Sequence, residues 1–396
     1  MTTFVHNDLD VSAANVVASG QPLYPAVERT SAVAAIANHA NPSPASAEQR
    51  AAIFADPGFG KYFTDNVVRA VWTKADGWHQ AEIVSGSASA GGLGINALHY
   101  GQSIFEGLKA YRQADGGIYT FRPEANALRF QRSAHRLALP PVPTDLFIGS
   151  IEALVRQDQA WVPTDPDQSL YLRPLEFGSE DALGVRPSTH VTFVLMASPV
   201  GAYFPQGVKP VSVWLSDEYV RAAPGGTGEA KCAGNYASSL IAQAEASDNG
   251  CDQVVWIDAI ERKYIEEMGG MNMFFVYGSG SSARLLTPRL TGTLLPGVTR
   301  DSILTLARDL GYQAEEGTIT VEQWREGCAS GEITETFACG TAAVITPVGR
   351  VDSKNSGAWN IADGGSGDIT MKLRAALVDL QTGKAPDNHN WMHRIV

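Results

Sequence analysis

Patterns typical of strands and of helices follow one another in unequal runs along this chain. Segments rich in β-branched and aromatic residues predict strands at "DNVVRAVW", "SLYLRPLEFG" and "HVTFVLMASPV". Helices are predicted over Pro123 to Leu139, which Pro140 ends, and over Ser150 to Trp161. Because the runs are unequal, they favour an α+β fold over a doubly wound sheet.

Strand and helix patterns also occur in the second half of the chain. Strands are predicted at "PVSVWLSD", "DQVVWIDA" and "NMFFVYG", and helices at "PGVTRDSILTLARDLG" and "DITMKLRAALVDLQTG". Gly311 and Gly383 end these two helices, as glycine commonly does.

The length of 396 residues exceeds what one compact core usually holds, so two domains are expected. The proline- and glycine-containing segment "PVGAYFPQGVKP" lies between two strand patterns and predicts the junction. We therefore expect a small domain over residues 51–200, a linker over 201–210 and a large domain over 211–396. Residues 1–50, rich in Ala, Ser, Asn and Pro, are expected to form a partly ordered arm.

The charge balance and the cysteines exclude several classes of protein. With 30 basic and 42 acidic residues, the net charge of −12 disfavours binding to nucleic acid. The four cysteines form no CxxC pair, so neither a metal site nor a disulfide scaffold is expected. The N-terminus "MTTFVHNDLD" lacks the pattern of a signal peptide, and no run of eighteen apolar residues occurs. We expect a cytoplasmic protein with no membrane partner.

Three short patterns suggest binding sites but lack necessary parts. A P-loop counted from Gly225 would have Ala230 in place of its last glycine and Cys232 in place of its hydroxyl residue. "GSGSSA" fits a dinucleotide-binding pattern but precedes no helix, so it predicts a hairpin turn. His389 and His393 stand four apart, but a metal site there is improbable.

Lys231, in "APGGTGEAKCAGNY", has two interpretations on residue type alone. An isolated lysine is usually a solvated charge, whereas small neighbours also leave room for a flat cofactor bound to the amine as a Schiff base. The second interpretation requires an acid for a ring nitrogen, and an arginine and a helix N-terminus for a phosphate. "IEEMGGMNMFFV" and "LLPGVTRDSI" provide candidates for the acid and for the helix N-terminus.

Taken together, these segments resemble the branched-chain amino-acid aminotransferases, a fold type IV class of pyridoxal-phosphate enzymes. The resemblance rests on "LHYGQSIFEGLKAYR", "FRPEANALRFQRSAHRLALP", "SLYLRPLEFGSEDALGV", "KCAGNY", "EEMGGMN", "LLPGVTRDSI" and "CGTAAVITPV", in one order from about Pro57 to the C-terminus. It implies a two-domain α+β fold with a smaller N-terminal α/β domain and a larger C-terminal domain, with the cofactor between them.

The resemblance also implies roles for residues around pyridoxal 5'-phosphate. Lys231 would form the internal aldimine and carry the proton in catalysis, Glu267 would pair with the pyridine nitrogen, and Tyr236 would bond the phenolic oxygen. The residues implied for the phosphate are Arg129, Val298, Thr299 and Thr341.

A substrate pocket and a homodimer are implied in the same way. The residues implied for the pocket are Phe59, Tyr100, Phe105, Tyr171, Arg173, Tyr203, Thr341 and Ala342, with Val185 reaching across the dimer interface. The aromatic faces would hold aliphatic groups, and Arg173 would pair with the second carboxylate of glutamate.

The activity implied is transfer of the amino group of L-leucine, L-isoleucine or L-valine to 2-oxoglutarate, so the expected partners are small amino acids and 2-oxo acids. The alternative within the same fold is a D-amino-acid aminotransferase or an aminodeoxychorismate lyase. A nucleotide-binding module without catalytic activity, suggested only by the glycines near Lys231, is the alternative of another class.

Overall fold

The computed structural model describes residues 36–86, 92–201 and 208–396. Tyr203, predicted to line the substrate pocket, lies outside the described residues, as do residues 202–207 of the predicted linker. Of the predicted arm, residues 36–50 are described, and they contain a two-residue strand and the start of a helix.

The chain forms two compact units. The first contains the described residues up to 201, together with Ala230–Ala233 and Gln381–Val396, and the second contains residues 208–229 and Gly234–Leu380. Residues 381–396, expected in the large domain, thus belong to the first unit, because their strand completes its sheet. Lys231 also belongs to the first unit, although the chain on both sides of its segment belongs to the second.

A nine-stranded sheet forms the centre of the first unit, in the order β1-β3-β2-β8-β7-β5-β6-β18, with β4 paired to β7. These strands are β1 (Ala37–Asn38), β2 (Asn66–Thr73), β3 (Gly77–Ser85), β4 (Ser103–Phe105), β5 (Leu108–Arg112), β6 (Ile118–Phe121), β7 (Ser169–Gly178), β8 (His190–Val200) and β18 (Met392–Arg394). The helices are α1 (Ala47–Ala55), α2 (Asn96–Tyr100), α3 (Pro123–Arg136) and α4 (Thr144–Gln157), and a 3-10 turn follows at Gln159–Trp161.

The two faces of β7 have different surroundings. Leu170 and Leu172 belong to the main core cluster of this unit, with Phe130 of α3 and Ile151 of α4. Since side chains alternate along a strand, Tyr171 and the residues two apart from it point to the opposite face. The helices therefore cover one face, and the other face carries the polar and aromatic side chains considered below.

The predicted strands at Ser169–Gly178 and His190–Val200 are confirmed to the residue. Helix α3 ends at Arg136, three residues before the predicted end, because the chain turns at Ala138, which has a positive φ of 52°. Helix α4 begins at Thr144, well before the predicted Ser150, because its buried apolar stripe starts at Leu146.

The second unit contains another nine-stranded sheet. Its strands are β9 (Val211–Leu215), β10 (Gln253–Ile257), β11 (Ile265–Met268), β12 (Met271–Tyr277), β13 (Arg284–Pro288), β14 (Gln313–Gly317), β15 (Ile333–Gly340), β16 (Val344–Ser353) and β17 (Gly357–Asn360). Helices α5 (Ala233–Ala237), α6 (Leu240–Asp248), α7 (Val298–Asp309), α8 (Val321–Ser330) and α9 (Asp368–Gln381) follow Lys231 in the chain.

Six of these strands close into a ring in the order β11-β10-β9-β16-β15-β12, because β12 also pairs with β11. Apolar residues of the ring strands, among them Val213, Val255, Met273 and Phe275, form one core cluster. The hairpin predicted at "GSGSSA" is confirmed, since β12 and β13 are antiparallel neighbours joined there. Closure matters for the site because it places β11, β12 and β15 side by side.

Residues 36–86, 92–201 and 208–396 contain neither a membrane-crossing helix nor a metal-binding cluster. None of the helices in these ranges has both the length and the hydropathy that crossing a bilayer requires. Within the same ranges, no group of three or more His, Cys, Asp and Glu side chains is placed to hold a metal ion.

Glu176 of β7 is a carboxyl group inside the apolar core of the first unit. It is fully buried, and its cross-strand neighbours are Ile104 and Phe193, both core residues. Neither of its carboxyl oxygens has a hydrogen-bond partner among the described residues. Burial therefore raises the pKa of Glu176 well above its usual 4.5.

Replacing Glu176 with leucine is expected to stabilise the protein by about 1–3 kcal/mol at slightly alkaline pH, the cost of a buried polar group without partners. Because the folded pKa is raised, the native state loses stability as pH increases above the unfolded value of about 4.3. Calorimetric unfolding should thus show a larger gap between Glu176→Leu and wild type at about pH 8 than at about pH 5. The control Glu326→Leu, at an exposed position, should show no such trend. A stability difference between Glu176→Leu and wild type that does not change with pH would contradict the raised pKa of Glu176.

Candidate active site

The main chain of Lys231 is held by two hydrogen bonds within the first unit. Its N–H donates to Ser133 Oγ at 3.0 Å, and its carbonyl accepts from the N–H of Phe105 at 3.0 Å. The next residue, Cys232, forms an isolated antiparallel bridge with Ile104. The lysine is therefore attached both to α3 and to the end of β4, which fixes where its side chain begins.

The ring of Phe105 lies between two cationic groups. Lys231 Nζ is 5.0 Å from the ring centroid, and the Arg173 guanidinium is 4.7 Å from it. Arg173 also donates from Nη2 to the Tyr171 hydroxyl at 3.0 Å, and its Nε is buried without a hydrogen-bond partner among the described residues. The face of β7 opposite the helices thus carries a positive group that an anion would satisfy.

An aromatic wall stands beside Arg173. Phe59 contacts Tyr171 edge to face, with ring centroids 5.0 Å apart. Gly107 lies so close to this tyrosine that an added Cβ would be 2.1 Å from its hydroxyl. Glycine is therefore required at position 107 for Tyr171 to keep its position.

Arg129 of α3 is buried and paired with an equally buried acid. Its Nε and Nη2 donate to the two carboxylate oxygens of Glu106 at 2.7 and 2.8 Å, a bidentate arrangement. Ser133, one turn further along α3, donates to the carbonyl of Arg129. One helix thus positions both the predicted phosphate ligand and the serine that holds Lys231.

Glu267 of β11 is the corresponding buried acid of the second unit. Its Oε2 pairs with Arg221 Nε at 2.8 Å, and its Oε1 accepts from Asn272 Nδ2 and from the N–H of Leu295 at 3.1 and 2.6 Å. Arg221 is itself held by the carbonyls of Gly228 and Thr293. Such donors stabilise the charged form of a carboxyl group.

Tyr236 lies on α5 near the turn that follows β11. An added Cβ on Gly270 would be 3.3 Å from Cε1 of the tyrosine ring, so the missing side chain leaves this ring face clear. Gly270 lies in the turn between β11 and β12, and Glu267 is on β11 two residues before that turn begins.

Helix α7 begins at Val298, with Gly297 at its N-cap. An added Cβ on Gly297 would be 2.1 Å from Asn272 Oδ1, so the start of the helix packs against the asparagine that holds Glu267. The first N–H groups of a helix have no partner within it and attract anions. The buried Thr299 is the second residue of this helix.

Thr341 and Ala342 lie at the tip of the hairpin between β15 and β16. The next residue but one after Ala342, Val344, has a positive φ of 64°, which is strained for a β-branched side chain. Cys339, two residues before Thr341, is opposite Asn272 in the sheet, and burial raises the pKa of its thiol. The hairpin tip therefore extends from the row of strands that carries Glu267.

Two further predicted residues, Tyr100 and Val185, take part in none of the contacts described above. The hydroxyl of Tyr100 donates to the carbonyl of Leu183, which places this tyrosine beside the loop that carries Val185. Val185 is 83% exposed and Tyr100 is 41% exposed.

Four residues that position the predicted groups were not assigned from the sequence: Ser133, Glu106, Arg221 and Asn272. Glu106 follows Phe105 in a segment on which the resemblance rests, and an acid beside a predicted pocket aromatic could have suggested it. Arg221 and Asn272 carry no such pattern, because their partner Glu267 is brought to them only by the fold.

This chain is similar to a family of known proteins. Residues 103–351 match the family model described as amino-transferase class IV. The chain is 57% identical over 357 residues to a branched-chain-amino-acid aminotransferase of Mycolicibacterium smegmatis, covering 90% of this chain and 97% of that protein.

Solved structures of the same kind share the fold. The branched-chain amino acid aminotransferase of Escherichia coli has a TM-score of 0.68 at 29% identity, covering 83% of this chain and 99% of that one. The T.th. enzyme complexed with N-(5'-phosphopyridoxyl)-L-glutamate has a TM-score of 0.66 at 28% identity, covering 83% and 98%. This chain therefore belongs to the class IV aminotransferases, among the branched-chain-amino-acid aminotransferases.

Proposed function

We propose that this protein transfers the amino group of L-leucine, L-isoleucine or L-valine to 2-oxoglutarate, with pyridoxal 5'-phosphate as its cofactor. The products are the branched-chain 2-oxo acid and L-glutamate. The observation that carries the proposal is the placement of Lys231, whose main chain is hydrogen-bonded on both sides and whose amine faces an aromatic ring.

The donor groups present suit this cofactor. An aldehyde requires an amine, which Lys231 provides, and a pyridine nitrogen requires an acid, which Glu267 provides. The phosphate requires positive charge and N–H donors, which Arg129 and the start of α7 at Val298 provide. Tyr236 offers a hydroxyl for the phenolic oxygen, on a ring face that Gly270 leaves clear.

When bound, pyridoxal phosphate supplies an aldehyde carbon that receives the amino group and a ring that withdraws electrons from the substrate α-carbon. Lys231 Nζ would take the proton from that α-carbon and deliver it to the former aldehyde carbon of the cofactor. Glu267, which Arg221 and two N–H donors hold in place, would bond the ring nitrogen. Thr299 and Thr341 are proposed as further phosphate donors.

The substrate pocket must accept an aliphatic side chain in one half-reaction and a carboxylate in the other. Burying an unpaired carboxylate costs several kcal/mol, so aromatic walls alone would exclude glutamate. Arg173, with a buried Nε that lacks a partner among the described residues, provides the counter-charge. Phe59, Phe105 and Tyr171 provide the apolar surface, and we place the N–H groups of Thr341 and Ala342 against the α-carboxylate.

We also propose that the protein is a homodimer. Support comes from apolar side chains that are strongly exposed on the described chain near Tyr100: Leu93, Leu98, Leu183 and Val185. Side chains of this kind in one region are commonly covered by a partner.

Purified protein is expected to be yellow, and its colour is expected to bleach when L-leucine is added. Lys231→Ala should abolish both the response and turnover, because no other amine takes its place, whereas the exposed control Lys263→Ala should keep them. Absorption spectra and coupled assays measure both. A protein that stays colourless with added cofactor, or that prefers D-alanine to L-leucine, would argue for one of the alternatives.

Glu267→Gln should lower kcat by about 10²–10³-fold, since it removes a preorganised charge from the reacting system. Cofactor content should stay near that of wild type, because the phosphate contacts remain. Arg221→Gln should lower kcat less and should shift the pH profile, since it acts through Glu267. The surface control Glu261→Gln should leave kinetics unchanged. Equal activity of Glu267→Gln and wild type would be incompatible with the assigned role.

Glu106→Gln should destabilise the cofactor-free protein by about 3–5 kcal/mol, since it leaves the buried Arg129 charge without its acid. An added dianion would again neutralise part of the buried Arg129 charge. Inorganic phosphate should therefore raise the thermal midpoint of Glu106→Gln more than that of wild type. The ion pair between the half-exposed Arg186 and the partly buried Glu180 provides the control Glu180→Gln. If phosphate raises all three midpoints equally, Arg129 is not the phosphate ligand.

A further inference from the structure

The second unit contains a cavity of about 460 Å³ that none of the proposed catalytic residues lines. Its wall includes the apolar side chains of Ile260, Ile265 and Leu294. Its charged lining residues are Glu266, Arg289 and Asp258, and Tyr264, Thr291, Thr293 and Thr318 add hydroxyl groups. The carboxylate of Asp258 already accepts from the main-chain N–H groups of residues 260, 261, 263 and 264. Apolar walls with a few polar groups are typical of small-molecule sites.

Glu266 provides a buried carboxyl group in this cavity. It is 6% exposed, and the described structure gives it one hydrogen bond, from the Thr293 hydroxyl. Burial raises its pKa from the usual value. Glu266 and Glu267 are adjacent on β11, so their side chains point to opposite faces of the strand. The acid in the cavity is thus distinct from the acid assigned to the cofactor.

Arg289 provides the opposite charge. It is exposed at the end of β13, and its guanidinium makes no ion pair or hydrogen bond with the residues that the structure describes. A buried acid and an unpaired arginine on one cavity suit a ligand that carries both an ammonium and a carboxylate group. The apolar wall suits a hydrocarbon side chain on the same ligand.

We propose that this cavity is a second binding site, specific for an α-amino acid with an apolar side chain. The ligand's ammonium group pairs with Glu266, its carboxylate pairs with Arg289, and its side chain packs against Ile265 and Leu294. The site needs no cofactor and makes no covalent bond, so it does not depend on the proposed activity.

The contacts of Thr293 connect this site to Glu267. The Thr293 hydroxyl donates to Glu266, and the Thr293 carbonyl accepts from Arg221, which pairs with Glu267. Leu295, two residues on, donates its N–H to Glu267. A ligand that draws Glu266 away from Thr293 therefore acts on the segment that holds the catalytic acid.

The probe we choose is N,N-dimethyl-L-leucine. Its tertiary nitrogen keeps one N–H and a positive charge but does not condense with an aldehyde, so it separates this cavity from the Lys231 site. Isothermal titration of the cofactor-loaded protein should show binding that Glu266→Gln and Arg289→Ala each weaken by about tenfold or more. Arg289 is exposed, so its variant should fold normally, and retained cofactor absorption checks both variants.

Two controls locate the binding. Phe59→Ala should leave the probe's affinity unchanged, since Phe59 is assigned to the apolar wall of the substrate pocket and does not line this cavity. N,N-dimethylisoamylamine, which lacks the carboxylate, should bind wild type more weakly than the probe does and should bind Arg289→Ala as well as it binds wild type. The proposal is wrong if no heat is detected, if Glu266→Gln and Arg289→Ala bind the probe as wild type does, or if only Phe59→Ala loses binding.

Discussion

The two hydrogen bonds on the main chain of Lys231 determine how the rest of the site is arranged. A lysine amine stands on a flexible four-carbon chain, so its position is defined only when its backbone is fixed. Here one bond comes from α3 and the other from the end of β4. Because Arg129 lies one turn before Ser133 on α3, that helix also sets the spacing between the amine and the proposed phosphate ligand.

Buried charged groups assigned to the proposed active site have ion-pair partners, whereas two buried acids elsewhere in the described residues do not. Arg129 and Glu267 each have a bonded partner of opposite charge, and such pairs hold orientation as well as charge. Glu176 has no hydrogen-bond partner and Glu266 forms no ion pair among the described residues, and burial raises the pKa of both, although the nearby charge of Arg221 opposes this at Glu266. The paired groups are held in one orientation. An unpaired buried acid lowers the free energy of unfolding unless a proton or a ligand neutralises it.

The sequence predicted local structure best where burial is continuous. Strands β7 and β8 are buried along nearly their whole length, so their apolar runs have clear ends. The start of α4 was missed because the stripe from Leu146 follows a proline-rich turn. The roles of Lys231 and Glu267 came from family resemblance, and no local pattern identified Arg221, whose partner is distant in sequence. The three-residue strand β18 is too short to show any periodicity.

The pairing of β18 with β6 has a consequence for biosynthesis. Chains emerge from the ribosome N-terminus first, and β6 leaves it long before residues 392–394 do. Until then β6 is an open edge with unpaired main-chain groups, the kind of edge on which other strands add. Trp391, which packs on Phe121 and under the Arg122 guanidinium, also arrives last. The first unit, although it comes first in the chain, is thus completed only after the second unit has been synthesised, and a chain that lacks residues 392–394 is prone to aggregate through β6.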